Sequence, residues 1–302
     1  MKNYIYYLII AMVVVTWGFD PVVNSYLYSS FSASALSSLA TFCSVILLFC
    51  FSFKKLRLLD KRYFMIAVPI CTMNSVACVL QKIGLQYTSP ASYAFLEQLA
   101  CVVVPIALFI FTRKRPSALQ CIASVICLVG CFVFSGMLSG GLSFGIGEIL
   151  CGLAGIIFGF CIASTGIYTK GLDIRLYMLI HMTIYFLVSA LTAVSLNFIT
   201  KDGVPLEEFV FAPDAKMISI AVLWGLFAIG VCWLLRTEAL RNVNPAVVAV
   251  MCPFSAVITS TVSLIIGLDK ISPSFVVGAL LIFTAMALSA INDIKESKKK
   301  EQ

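Results

Sequence analysis

Two acids stand inside apolar stretches, and they are the residues of this chain best placed to do chemistry. Asp20 and Glu97 each fall within a run long enough to cross a bilayer. There an ionised carboxylate is costly unless it meets a partner, water or a ligand. Helical spacing gives them company. Trp17, Asp20 and Asn24 share one face of the first run, while Tyr93, Glu97 and Cys101 share one face of the fourth. Carboxylates beside Trp and Tyr suit a cationic amine, through charge pairing and contact of the cation with ring faces. Plainer readings exist for both acids. Asp20 precedes Pro21 and could cap or bend a helix end, and Glu97 could be a protonated carboxyl hydrogen-bonded between helices. A buried carboxyl that trades its proton for a cationic ligand would couple the two movements, which makes Glu97 the proton-coupling candidate.

Other polar residues extend this set of candidates. Asn74 and Cys78 recur with Cys71, Ser75 and Gln81 along one side of the third run, as ligand contacts or as hydrogen bonds between helices. His181, the only histidine, lies one turn from both Tyr177 and Tyr185 and could relay protons or serve as an interhelical donor. Trp224 could wall a cavity or simply pack. Arg236, Glu238 and Arg241 read as a cluster at the inner surface, and Glu148 as an interfacial residue near the outer one. All 12 cysteines lie inside the apolar runs and no CxxC pair occurs, so no metal site is expected. Neither HExxH nor GxxxxGK[ST] appears, so neither zinc-protease chemistry nor direct ATP drive is expected, and no cofactor is implied.

The elements that position these residues are apolar runs at about 4–24, 33–53, 63–82, 89–111, 118–137, 145–166, 174–198, 216–235, 245–268 and 272–291. Each approaches the roughly 20 residues that carry a helix across the hydrocarbon core. With 61% hydrophobic and 12% charged residues, the chain is expected to be an all-α integral membrane protein of ten transmembrane helices. Met1–Asn24 reads as a membrane-inserted first helix rather than a cleavable signal. Of the 21 Lys and Arg residues, 17 fall on alternate loops and the two ends, leaving Lys82, Lys201, Lys216 and Lys270 on the other side. That asymmetry predicts a multi-pass protein of the cell membrane (plasma or inner) with both termini cytoplasmic. The net charge of +7 is therefore a topology signal, with the Lys298–Lys300 tail as an anchor to anionic headgroups, and no nucleic-acid partner is implied. Most loops are short; the longest, 199–215, reads as a solvated acidic connector.

The chain repeats itself. Laying 85–117 over 240–272 pairs Leu85 with Leu240, Pro90 with Pro245, Ala91 with Ala246, Ala94 with Ala249, Val102 with Val257 and Ser117 with Ser272. Phe158-Gly159 falls on Trp17-Gly18, Cys161 on Asp20 and Cys252 on Glu97. Residues 1–137 are thus expected to form one five-helix repeat, and 138–302, with the basic tail, a second. Five is odd, so the second repeat must enter from the opposite side, a construction typical of transporters.

The residues that carry a resemblance are Trp17-Gly18, Leu85-x-Tyr87-Thr88-Ser89-Pro90-Ala91, Arg115-Pro116-Ser117, Ala239-Leu240-x-x-x-Asn244-Pro245-Ala246, Pro253 and Asp269-Lys270-Ile271-Ser272. On these the chain resembles the EamA-type branch of the drug/metabolite transporter superfamily along its whole length. The resemblance implies a ten-helix inverted-repeat fold and movement of small metabolites. It also implies Pro in the middle of spans 4 and 9, yet span 4 carries Gln98, preceded by Glu97, where span 9 keeps Pro253. The expected function is secondary active transport of a small amine, amino acid or related compound by alternating access, as an exporter with proton coupling. Trp17, Asp20, Asn74, Cys78, Tyr93, Glu97, His181 and Trp224 are the expected substrate contacts. The competing classes are an intramembrane enzyme using a Ser or Cys with His181, and a receptor or scaffold that moves nothing.

Overall fold

Short polar residues set where several of the apolar runs begin. Ser117 accepts a hydrogen bond from the Gln120 N–H, Asp173 from Arg175, Asp214 from Met217 and Asn244 from Ala246. Each supplies an acceptor to a backbone donor that a helix start leaves bare. Inside the runs, a helix pairs its own backbone groups, which is the condition for crossing lipid. The computed structural model describes residues 2–85, 87–88, 95–135, 145–201, 204–205, 207–266 and 273–301. Its helices are α1 (Lys2–Leu27), α2 (Ala33–Ser52), α3 (Lys61–Leu85), α4 (Phe95–Thr112), α5 (Ala118–Phe134), α6 (Ile146–Tyr168), α7 (Ile174–Phe198), α8 (Ala215–Asn242), α9 (Pro245–Met251 and Phe254–Ile265) and α10 (Pro273–Glu301). Among the described residues, nine of these are long and apolar enough to span a membrane, and α5 is a shorter apolar helix. Beyond the helices lies one antiparallel pair of two-residue strands, β1 (Thr200–Lys201) and β2 (Val204–Pro205), in the long loop. Residues 89–94, the expected start of span 4, lie outside the described residues.

Large apolar side chains such as Leu8, Met65, Leu191, Leu223 and Leu280 are exposed on the outside of the bundle, as a lipid-facing surface requires. At one end of the bundle, the Tyr7 hydroxyl donates to Asp293 at 2.6 Å and Ser117 donates to Asn292 at 2.9 Å, so the two chain ends share a face. Lys55 pairs with Asp173 on that same face. Burial alone would push the Asp173 carboxyl up, but the Lys55 ammonium and the Arg175 N–H hold it below the usual carboxylate range. The opposite face is tied by Ser34 to Glu207 and by Thr88 to Glu148.

The packing is two-fold. α5 packs on α10 and α2 on α7, while α1 packs on α8 and α9, and α6 packs on α3 and α4. Exchanging every helix for the one five places along maps this set onto itself. Residues obey the same relation. Gly130 lets α10 approach at Ile282, and Gly278 lets α5 approach at Phe134, each contact being the other shifted by 148 residues. Gly18 lies against Ile258 and Ser255, while Gly159 lies against Val103 and Ala100. Such small residues allow backbones to close where lipid provides no hydrophobic drive.

Two helices are broken at matching positions. In α9 the Ala256 N–H bonds to the Pro253 carbonyl at 3.1 Å, and in α4 the Cys101 N–H bonds to the Gln98 carbonyl at 3.0 Å. Both are i to i−3 bonds at positions related by the repeat. Proline accounts for the break in α9, since it has no N–H to give. The break persists in α4 although Gln98 has replaced the proline. Packing supplies the reason: the Leu96 carbonyl sits only 2.3 Å from where a Cβ on Gly155 would lie, a seat that α6 offers through glycine alone.

Candidate functional site

The broken helices border a cavity of about 280 Å³ at the centre of the bundle, close to the lower end of the range for small-molecule sites, about 300–1,000 Å³. Its wall follows the repeat. Trp17 faces the cavity with its counterpart Phe158, Glu97 with Cys252, and Ala100 with Ser255. Extending the repeat offset of 85–117 back into α3 and α8 pairs two further sets of lining residues, Cys78 with Trp233 and Gln81 with Arg236. Asn74, Gln98 and Tyr185 add further polar groups to the lining.

Arg236 changes the electrostatics of this site. Its guanidinium carbon is 5.5 Å from the Trp17 ring centre and 5.7 Å from that of Trp233, a cation lying against two neighbouring indoles. Its Nε has no hydrogen-bond partner. Gln81 and Arg236 are the polar groups that bear on the Glu97 carboxyl. The ion pairs of the described residues are Lys55–Asp173, Arg175–Asp173 and Arg241–Glu238, so Glu97 and Arg236 are not joined to one another. The cavity thus presents one acid and one base among polar and aromatic side chains, with the Arg236 Nε left bare. A π-helical turn over Leu226–Val231 precedes Trp233 and Arg236 in α8, and the Trp17 indole donates to the Ala228 carbonyl within it at 3.0 Å. Such turns shift the register of the helix beyond them and recur at functional sites.

Residues 4–136 match the EamA-like transporter family. The match agrees with the resemblance read from the motifs over the first repeat, and it is consistent with a membrane transporter of the drug/metabolite type. A solved crystal structure that is 12% identical superimposes with a TM-score of 0.74 over 95% of this chain and 97% of its own, which carries the fold through the second half. No curated protein matches the sequence.

The expected contacts separate into groups. Trp17, Asn74, Cys78 and Glu97 line the central cavity. Asp20 does not join them. It lines a pocket of about 40 Å³ between α1, α2 and α8, where it accepts from the Trp224 indole at 2.7 Å and from the Asn24 amide at 2.8 Å. Trp224 is therefore a partner of Asp20 and not a wall of the central cavity. His181 borders a void of about 10 Å³ behind Trp233. Its Nε2 lies 3.4 Å from the Asn74 amide, while Cys161 gives its thiol to the Ile70 carbonyl. Tyr93 lies outside the described residues.

Two surface assignments are corrected. Arg236 leaves the expected inner-surface cluster for the cavity, whereas Glu238 and Arg241 do pair, at 3.0 Å. Glu148 is only 6% exposed, because its carboxylate caps the start of α6, accepting from the Gly145 N–H at 2.9 Å and from Thr88. Sequence reasoning missed Arg236 and Trp233. The repeat held the signal, since carrying the 85-on-240 alignment four residues upstream sets Arg236 opposite Gln81.

Proposed function

We propose that the protein is a secondary active transporter of small organic molecules that carry a cationic and an anionic group together, amino acids or close relatives. One observation carries this reading: Glu97 and Arg236 face the same cavity without pairing. Two opposite charges left apart within the bundle are best satisfied by a ligand that bridges them, its ammonium to Glu97 and its acid to Arg236. Trp17 and Trp233 offer apolar faces to the remainder of the ligand. The two repeats, 1–137 and 138–302, would rock about the broken helices to expose the cavity alternately. Export is the direction that the family resemblance favours, and the Lys/Arg asymmetry supports cytoplasmic termini in the cell membrane.

Glu97 is the coupling group in this reading. Protonation removes the charge that attracts the ammonium, so proton and substrate compete for one carboxylate. Substrate affinity weakens as pH falls through the titration of Glu97 in the empty protein, and a proton gradient drives substrate the opposite way. Each unit by which substrate displaces that titration corresponds to about 1.4 kcal/mol of coupling. Uptake into proteoliposomes across pH 5 to 9, with and without an imposed gradient, tests this directly. A flat profile with no response to the gradient removes proton coupling and leaves exchange or facilitated diffusion. Product formation without net flux points to an enzyme instead.

A further inference from the structure

A second, larger pocket of about 540 Å³ lies at the face that carries the chain ends, between α4, α5, α6, α10 and the α8–α9 turn. It shares no lining residue with the central cavity. Lys114, Arg115 and Lys170 bring three cations to it. Two buried amides line it as well, Gln120 at 2% and Asn292 at 5% exposure. Their carbonyl ends are occupied. Ser117, whose Oγ already accepts from the Gln120 N–H, spends its proton on Asn292 Oδ1 at 2.9 Å, and Ser289 donates to Gln120 Oε1 at 2.9 Å. That leaves Gln120 Nε2 and Asn292 Nδ2 as buried donors with no partner. Buried donors rarely stay unpaired, and two lining one pocket beside three cations call for an acceptor with several oxygens. The acids present are Asp293, which takes the Tyr7 hydroxyl at 2.6 Å, and Glu296.

We propose that this pocket binds a phosphate ester. A phosphate group presents enough acceptor oxygens to meet both amides and the basic side chains, which a carboxylate does not. Asp293 and Glu296 repel additional negative charge, so the ester carries a neutral or cationic substituent. Two sources share that chemistry, a phospholipid headgroup of the leaflet at this face and a soluble phosphate monoester. Binding here is independent of what the central cavity carries.

The full-length protein in maltoside micelles, which carry no phosphate, separates the sources. Thermal unfolding is followed with glycerol 3-phosphate or inorganic phosphate added, and in parallel with phosphatidylglycerol mixed into the micelles. Stabilisation by the soluble phosphates identifies a soluble ligand, and stabilisation by phosphatidylglycerol alone identifies a headgroup. In either case Arg115→Gln and Gln120→Leu should weaken the apparent affinity about tenfold, the loss of one charge-assisted or buried hydrogen bond. Lys295→Gln, the same loss of one charge on α10 outside the pocket lining, should leave it unchanged. The proposal is overturned if no phosphate source stabilises the protein. It is equally overturned if Lys295→Gln weakens binding as much as Arg115→Gln, since that reports general surface charge.

Discussion

Glu97 and Glu148 are both acids of an apolar chain, but their surroundings differ. Glu97 borders the central cavity beside Gln81 and Arg236, whereas Glu148 is consumed by the cap of α6 and by Thr88. Glu97→Gln should therefore lower substrate-driven flux at least tenfold with little change in unfolding temperature. Glu148→Gln should do the reverse, leaving flux per folded molecule intact while destabilising by about 0.5–2 kcal/mol, as expected for a lost cap. Flux and thermal unfolding measured on both variants decide this, and equal flux from both would remove Glu97 from the mechanism. Glu97, Trp17, Asn74 and Cys78 were legible because polar and indole side chains stand out at helical spacing in apolar runs. Arg236 was not. It lies near Glu238 and Arg241, which resembles a solvated helix end, yet it sits about 9 Å inside α8 by helical rise. Asp20 was over-read for a related reason. A charge in an apolar run signals a partner, and sequence does not tell a ligand from the Trp224 indole that hydrogen-bonds it here.

At the scale of elements, the ten helices and their repeat could be read in the chain because lipid forces every run of sufficient length into helix. The register at which helices touch could not. It rests on glycines whose partners lie more than a hundred residues away, as Gly130 at Ile282 and Gly278 at Phe134. A Cβ on Gly278 would lie 2.6 Å from backbone and side-chain atoms of Phe134. Gly278→Ala should therefore push α5 and α10 apart and cost about 1–3 kcal/mol. Gly171, with nothing within 4 Å of its Cβ position, fails as a control because its φ of +86° already disfavours a side chain. Gly152, whose nearest neighbours are the ends of Leu99 and Leu96 side chains at 3.8 and 3.9 Å, is the better comparison. Gly152→Ala should be nearly neutral in the same unfolding assay. A similar loss in both variants would mean that close approach at Gly278 is not what holds α5 against α10. The break in α4 carries the same lesson: Gln98 stands where α9 has Pro253, and the bend is seated by packing against Gly155.

For the whole molecule, an even number of crossings follows from the Tyr7–Asp293 bond between the chain ends, and the basic loops predict which side those ends occupy. Cysteines introduced at Asp202 and Ser297 in a background lacking reactive thiols should label from opposite sides of the membrane, Ser297 from the cytoplasm. Labelling of both from one side would overturn the topology. Two five-helix halves joined in this way leave one cavity shared between them, with its acid from the first half and its base from the second. Transport of a molecule bearing both charges is the central claim. Its most direct test is counterflow in proteoliposomes, in which an amino acid competes with its amide, which lacks the acid, and with its N-acetyl derivative, which lacks the amine. The intact amino acid should exchange well, and each derivative should compete at least tenfold more weakly. Arg236→Gln should abolish the preference for the acid over the amide, and Glu97→Gln the preference for the free amine over the N-acetyl form. Equal competition by all three compounds, with preferences unchanged in both variants, would contradict it.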